Sequence, residues 1–249
     1  MSRLQSSVKG ATVETLHEAN KTLALAQQGM DSVKLKYPKG YLDWNNVAVI
    51  TVTDASFSNE AGFKSQQGRM HFLADAKEVK DPKSCVYKVL PLSFGSTAIR
   101  RVCRTTLQAE TYSLQNGVET GHKLRGCLCE LKGHIQNMKE WSSQAMESMP
   151  HLSFTDCRSL ADHLSLEAPG KVIDRRLGIE LMSLHEDLWQ DGKLTWSTMV
   201  NGGDHLEWIS TATMVSDCLT KSMRPDFLVR VLDTNLYRAE KISTKGRKK

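Results

Sequence analysis

Four carboxylates in this chain stand where a buried charge is costly unless something pairs with it. Asp54 closes the apolar run VAVITVTDASF, in phase with Ile50 and Val52. Glu110 lies three residues after Leu107 and four before Leu114, inside the apolar stripe of a helical segment. Asp156 follows the strand-like HLSF, and Asp217 opens a short helical stretch in MVSDCLTK. Taken singly, each has an ordinary structural reading. Asp54 caps a turn, Glu110 reaches water from the edge of its stripe, Asp156 is a helix N-cap, and Asp217 is a first-turn acid favoured by the helix dipole. Taken together, they are acids drawn from distant points of the chain, which is what a hard divalent cation requires. Magnesium takes oxygen ligands and few carboxylates per ion, so four negative charges balance two ions.

The elements that must position these acids follow from periodicity. VAVITVTDASF is apolar on both faces and predicts a buried central strand. GRMHFLAD and CVYKVLPLSF predict two further strands, antiparallel in sequence order. From Arg104 to about Trp141, Leu107, Leu114, Val118, Leu128, Leu131, Ile135 and Met138 recur at helical spacing. Gly121 and Gly126 interrupt this stripe and predict a bend or two helices. After Pro150 come the strand HLSF, a helix from near Asp156, the helix DRRLGIELMSLHEDLWQ closed by Gly192, strand-like KLTWST and HLEWIS around NGGD, and a helical VSDCLTKSM ending before Pro225. Strands first and strand–helix alternation later predict an α/β domain with a five-stranded mixed sheet in the order 3-2-1-4-5 and helices on both faces. Ahead of it, Thr12 caps a helix over 12–28 that Gly29 stops, and a linker with Pro38 and Gly40 leads to Trp44. The expected organisation is an N-terminal helix and linker at 1–43, the domain at 44–225 and a basic tail at 226–249.

With 249 residues, 40% of them hydrophobic, the chain can bury a sizeable core and is not a disordered protein. No apolar run approaches the roughly 20 residues of a membrane span, and the N-terminus lacks a signal-peptide centre, so an intracellular protein without a membrane partner is expected. Six cysteines form neither paired CxxC knuckles nor a partner to HxxxH, which argues against a zinc knuckle and for reduced thiols. The formal charge is +5, and the terminal KISTKGRKK has five basic residues and no acid, which suits a polyanion or a solvated tail.

Several motifs now agree in order and spacing with one family. VTDASF, FKSQQGRMHFL, TTLQAETYSL, LSFTDCRSLADHL, KVIDRR and WISTATMVSDCLTK, together spanning about Val47 to Pro225, resemble the ribonuclease H domain of a copia-type retrotransposon Pol polyprotein. The N-terminal SRLQSSVKGATVETLHEANKTL is similar to the segment after the polymerase palm in such polyproteins. Val172 stands where the family has a histidine in KHIDIR, Ser-Thr-Ala-Thr replaces its proline-containing turn, and no histidine lies between Trp208 and Asp217.

The resemblance implies a ribonuclease H-like fold and a two-metal-ion endonuclease that hydrolyses the RNA strand of RNA/DNA hybrids during reverse transcription. It implies that Asp54, Glu110, Asp156 and Asp217 are catalytic and hold two Mg²⁺ or Mn²⁺ ions, one activating water and the other stabilising the departing 3′ oxygen. The partners it implies are the hybrid and a reverse transcriptase domain, in the cytoplasm or nucleus. Lys64, Arg69, Arg100, Arg101, Arg104, Lys171, Arg175 and Arg176 are the basic residues expected to grip phosphates, or else form a solvated surface. The competing reading is a ribonuclease H-fold module whose catalysis has decayed, acting in nucleic-acid binding or as an interaction domain.

Overall fold

The computed structural model describes residues 4, 8–30, 34–60, 63–166, 172–190, 193–194 and 204–242. Its centre is β1 (Val47–Glu60), a strand with no exposed residue from Ala48 to Ser56. Such burial on both faces is what the doubly apolar run predicts. β2 (Lys64–Asp75) and β3 (Val86–Ala98) follow antiparallel, with the short α2 (Ala76–Lys80) between them. The helix ahead of the sheet, α1 (Val13–Gly29), starts at the predicted cap, where the Thr12 side chain accepts from the Thr15 N–H and Thr15 answers back. None of its residues is buried.

The stripe from Leu107 to Leu131 forms one helix, α3 (Thr106–Leu131), not split at Gly121 or Gly126, while Ile135 and Met138 lie beyond its end. Its glycines do not break it because they are the contact points. A Cβ at Gly117 would lie 2.3 Å from Thr53 Cγ2, one at Gly121 would lie 2.6 Å from the His151 ring, and one at Gly126 would lie 2.6 Å from the Trp141 ring. Small residues let the helix backbone lie close on β1, at a helix-propensity cost of about 1 kcal/mol each relative to alanine.

After α4 (Trp141–Ser148), β4 (His151–Thr155) pairs parallel with β1 and is followed by α5 (Arg158–Leu164) and α6 (Arg175–Leu188). Trp189–Gln190 pairs antiparallel with Lys193–Leu194. The predicted KLTWST strand lies mostly outside the described residues, as does Gly192. β5 (Asp204–Trp208) then pairs parallel with β4, and α7 (Asp217–Thr220) and α8 (Asp226–Thr234) follow.

The main sheet has six strands rather than five, in the order β5-β4-β1-β2-β3-β6. The sixth, β6 (Leu236–Arg238), lies in the stretch expected as a basic tail and pairs antiparallel with β3. Three residues show no period, so pattern reading misses them. Packing selects them instead, because Tyr237 is fully buried against Phe72, Phe154, Tyr87 and Phe227 and its hydroxyl donates to the Thr213 carbonyl. Asn235 ends α8 in the left-handed conformation, φ 55°, and its amide donates to the carbonyls of Lys36 and Val89.

Apolar residues fill both sides of the sheet. Ile50, Val52, Phe72, Phe154 and Val231 form one cluster, and Leu114, Val118, Leu160, Leu181 and Leu184 tie α3, α5 and α6 together in another. Among the described residues no helix is long and apolar enough to cross a membrane, and all six cysteines are free thiols.

Candidate metal centre

Three of the four acids converge from the middle of β1, just past its pairing with β4, from the residue after β4, and from α3. The apolar run predicts Asp54 at the end of its strand, but β1 continues to Glu60. One carboxylate oxygen each of Asp54, Glu110 and Asp156 lies within 4.8 Å of the other two. The parallel pairing of β1 and β4 sets Val52 beside Phe154, so two residues further on Asp54 and Asp156 emerge side by side. Glu110 is brought in by the close seating of α3, whose Ser113 hydroxyl donates to the Asp54 carbonyl at 2.7 Å.

Asp217 joins the cluster through a lysine. Lys221 Nζ is 2.6 Å from Asp217 Oδ1 and 3.4 Å from Asp54 Oδ1, and the Thr220 hydroxyl donates to Asp54 Oδ2. Asp156 Oδ2 accepts from the Thr211 hydroxyl at 2.9 Å. Thr220, Lys221 and Thr211 were not singled out from the sequence. A lysine one turn after an acid is a common solvated pair, and only the return of α7 to β1 shows that its ammonium faces Asp54.

The electrostatics are those of crowded carboxylates. Burial pushes the Glu110 carboxyl well above its ordinary value, and the charges of Asp54 and Asp156 push it the same way. Its Oε2 is buried without a hydrogen-bond partner. Burial and then Asp54 also raise Asp156. For Asp217, burial outweighs the Lys221 contact and carries the pKa to about 6. Oxygen donors held together against their mutual repulsion, one of them unpartnered, suit a hard divalent cation.

The basic residues are dispersed. Arg69, Arg100 and Arg101 line one groove of about 450 Å³ beside α3, with Gln67, Thr97 and Asn116. Arg101 is held there by Glu180 and lies over the Tyr112 ring. Lys64, Arg104, Arg175 and Arg176 are exposed but do not line this groove. Lys171 is outside the described residues.

No family model and no curated protein matches this sequence. Among solved structures the chain is similar to LC11-RNase H1, isolated from compost by a metagenomic approach. The identity is 15%, the match covers 73% of this chain and 98% of that one, and the TM-score is 0.40. At that score the likeness carries no argument about the site, which rests on the chain's own residues.

Proposed function

We propose that this chain is a metal-dependent endonuclease that hydrolyses the RNA strand of RNA/DNA hybrids, as part of a retrotransposon-derived reverse-transcription machinery of copia type. The observation that carries the metal-dependent reading is the convergence of Asp54, Glu110 and Asp156 from β1, α3 and β4, with a buried Glu110 oxygen left unpartnered. The hybrid substrate and the retrotransposon setting rest on the ordered motifs from VTDASF to VSDCLTK.

In this reading Asp54, Glu110, Asp156 and Asp217 hold two Mg²⁺ or Mn²⁺ ions. Bound divalent cations supply an acidified water and charge stabilisation at the scissile phosphate, so no side-chain nucleophile is needed. Asp54 would hold the ions together with Glu110 and Asp156, within 4.8 Å of both, and it also faces Lys221. Thr211 and Thr220 fix the carboxylates of Asp156 and Asp54, which keeps the donors preorganised. Lys221, about one-third exposed, offsets the negative charge at the mouth of the cluster. The Arg69–Arg100–Arg101 groove grips backbone phosphate, and contacts to 2′-hydroxyls distinguish RNA from DNA.

The test is cleavage of a labelled RNA/DNA hybrid by the full chain in Mg²⁺ and in EDTA, beside its Asp156→Asn variant. Cleavage that needs Mg²⁺ and vanishes in the variant supports the nuclease. Tight hybrid binding without cleavage by the parent supports the decayed module instead.

A further inference from the structure

A second cluster lies at the other end of the parallel strands. His122 comes from α3, His151 opens β4 and Asp204 opens β5, and one ligand atom of each lies within 4.8 Å of the other two. β4 runs five residues from His151 to Thr155, next to Asp156. At about 3.3 Å per residue, that separates this cluster from the acids by roughly 15 Å.

The contacts are specific. His122 Nε2 is 2.7 Å from Asp204 Oδ2. Arg125, fully buried and one turn further along α3, donates to both oxygens of Asp204. The His151 ring is fixed from behind by Thr51, whose Oγ1 is 2.7 Å from Nε2. Its other nitrogen, Nδ1, faces Asp204 Oδ1 at 3.8 Å, beyond hydrogen-bond reach, and is buried without a partner. Gly121 makes this possible, since a Cβ there would meet both the His151 ring and Thr51 Oγ1 within 2.8 Å.

Beside these groups is a cavity of about 10 Å³, lined by His151, Ser153, Asp187 and Asp204 among leucines and Val118. That is room for one small occupant. His122 does not border this space but reaches the cluster through Asp204. An unpartnered imidazole nitrogen, a second imidazole and a carboxylate within one cluster suit a cation with nitrogen preference.

We propose that His122, His151 and Asp204, with Asp187 at the cavity, form a second metal site that takes a zinc-class divalent cation and pins α3, β4, β5 and α6 to one another. Imidazole suits zinc, whereas all-oxygen donors suit magnesium, so the two clusters select different ions. Zinc–ligand bonds of about 2.0–2.1 Å put donor atoms of a tetrahedral shell somewhat more than 3 Å apart, so loading opens the 2.7 Å His122–Asp204 contact and draws His151 Nδ1 in from 3.8 Å. Thr51 behind His151 and Arg125 behind Asp204 are the outer partners that hold the ligands in orientation. Cysteine spacing gives no hint of this site, because none of its ligands is a cysteine. The proposal is independent of the nuclease reading.

The probe is Co²⁺ followed by Zn²⁺, added to the purified full chain in excess Mg²⁺. The expected result is one intense visible band of tetrahedral cobalt, displaced by stoichiometric zinc, together with a large ¹⁵N shift of His151 Nδ1. His122→Gln should lose the band, and the double variant Asp54→Asn, Asp156→Asn should keep it. The ¹⁵N shift is read on the parent and so stands even if His122→Gln fails to fold. Absence of both band and shift in the parent overturns the site. So does a band that survives in folded His122→Gln, or one that disappears in the folded double variant.

Discussion

At the scale of single residues, Glu110 separates chemistry from packing. Glu110→Gln keeps volume and hydrogen-bonding capacity while removing a charge that Asp54 and Asp156 oppose. We expect the variant, in EDTA at neutral pH, to be no less stable than the parent. Cleavage in Mg²⁺ should fall about a hundredfold or more, the order expected when a contact worth several kcal/mol is removed from a metal site. Loss of stability with parental cleavage per folded molecule would assign Glu110 to packing instead. Asp217 contributes to the pH dependence beside Glu110 and Asp156, which are raised as well. Its pKa is raised from 3.8 to about 6 by burial, so the folded state favours the neutral acid. That contribution is fully present below the unfolded value and is lost as pH rises through about 6. Asp217→Asn should therefore flatten the stability-versus-pH curve between these values in EDTA, and an unchanged curve would show that this carboxyl is not held under strain.

At the scale of elements, the site depends on how closely α3 lies on β1. Gly117→Ala adds a Cβ 2.3 Å from Thr53 Cγ2. The overpacking costs about 1–3 kcal/mol against a helix-propensity gain of about 1 kcal/mol, so the variant should be less stable in urea titration. It should also cleave more slowly, because the same helix carries Glu110 two turns away. Thr53→Ser removes the clashing methyl and should restore part of both losses. If it restores neither, contact with β1 is not the cause. In the proposed function the groove beside α3 holds the hybrid, apart from the acids. Arg100→Ala with Arg101→Ala should weaken hybrid affinity and reduce its salt slope by up to about two phosphate contacts, with Mg²⁺ affinity unaltered. A parental salt slope would remove both from the contact surface.

At the scale of the whole molecule, the sheet is closed by residues far from its start. Tyr237 on β6 packs against aromatic side chains from β2, β3, β4 and α8. Tyr237→Ala should cost about 3–5 kcal/mol, the range for removing a large buried aromatic. A loss within about 0.5 kcal/mol, the range of surface substitutions, would mean that β6 is an ornament of the sheet. Ligand linkage acts on the same global equilibrium. In the proposed reading Mg²⁺ binds only the assembled acids, so saturating Mg²⁺ should raise the melting temperature and EDTA should return it. A melting curve indifferent to Mg²⁺ in folded protein would count against a divalent site at Asp54, Glu110 and Asp156.

The sequence by itself determined what local pattern can encode. β1 is apolar on both faces, so its central place followed from alternation alone, although the strand runs on to Glu60 and Asp54 lies within it rather than at its end. Glu110 was legible because it breaks an apolar stripe, and Thr12 because a cap is a matter of four neighbouring residues. Tertiary structure decided what depends on distant segments meeting. Gly121 and Gly126 read locally as helix breaks, yet they are the places where α3 touches His151 and Trp141. Leu236–Arg238 is too short for a period and becomes a strand because Tyr237 has a pocket to fill. Lys221 looks like a surface partner of Asp217 until α7 carries it to Asp54. His122, His151 and Asp204 show no ligand spacing in the chain, since their proximity is made by one helix and two parallel strands, and parallel pairing joins residues that lie far apart in sequence.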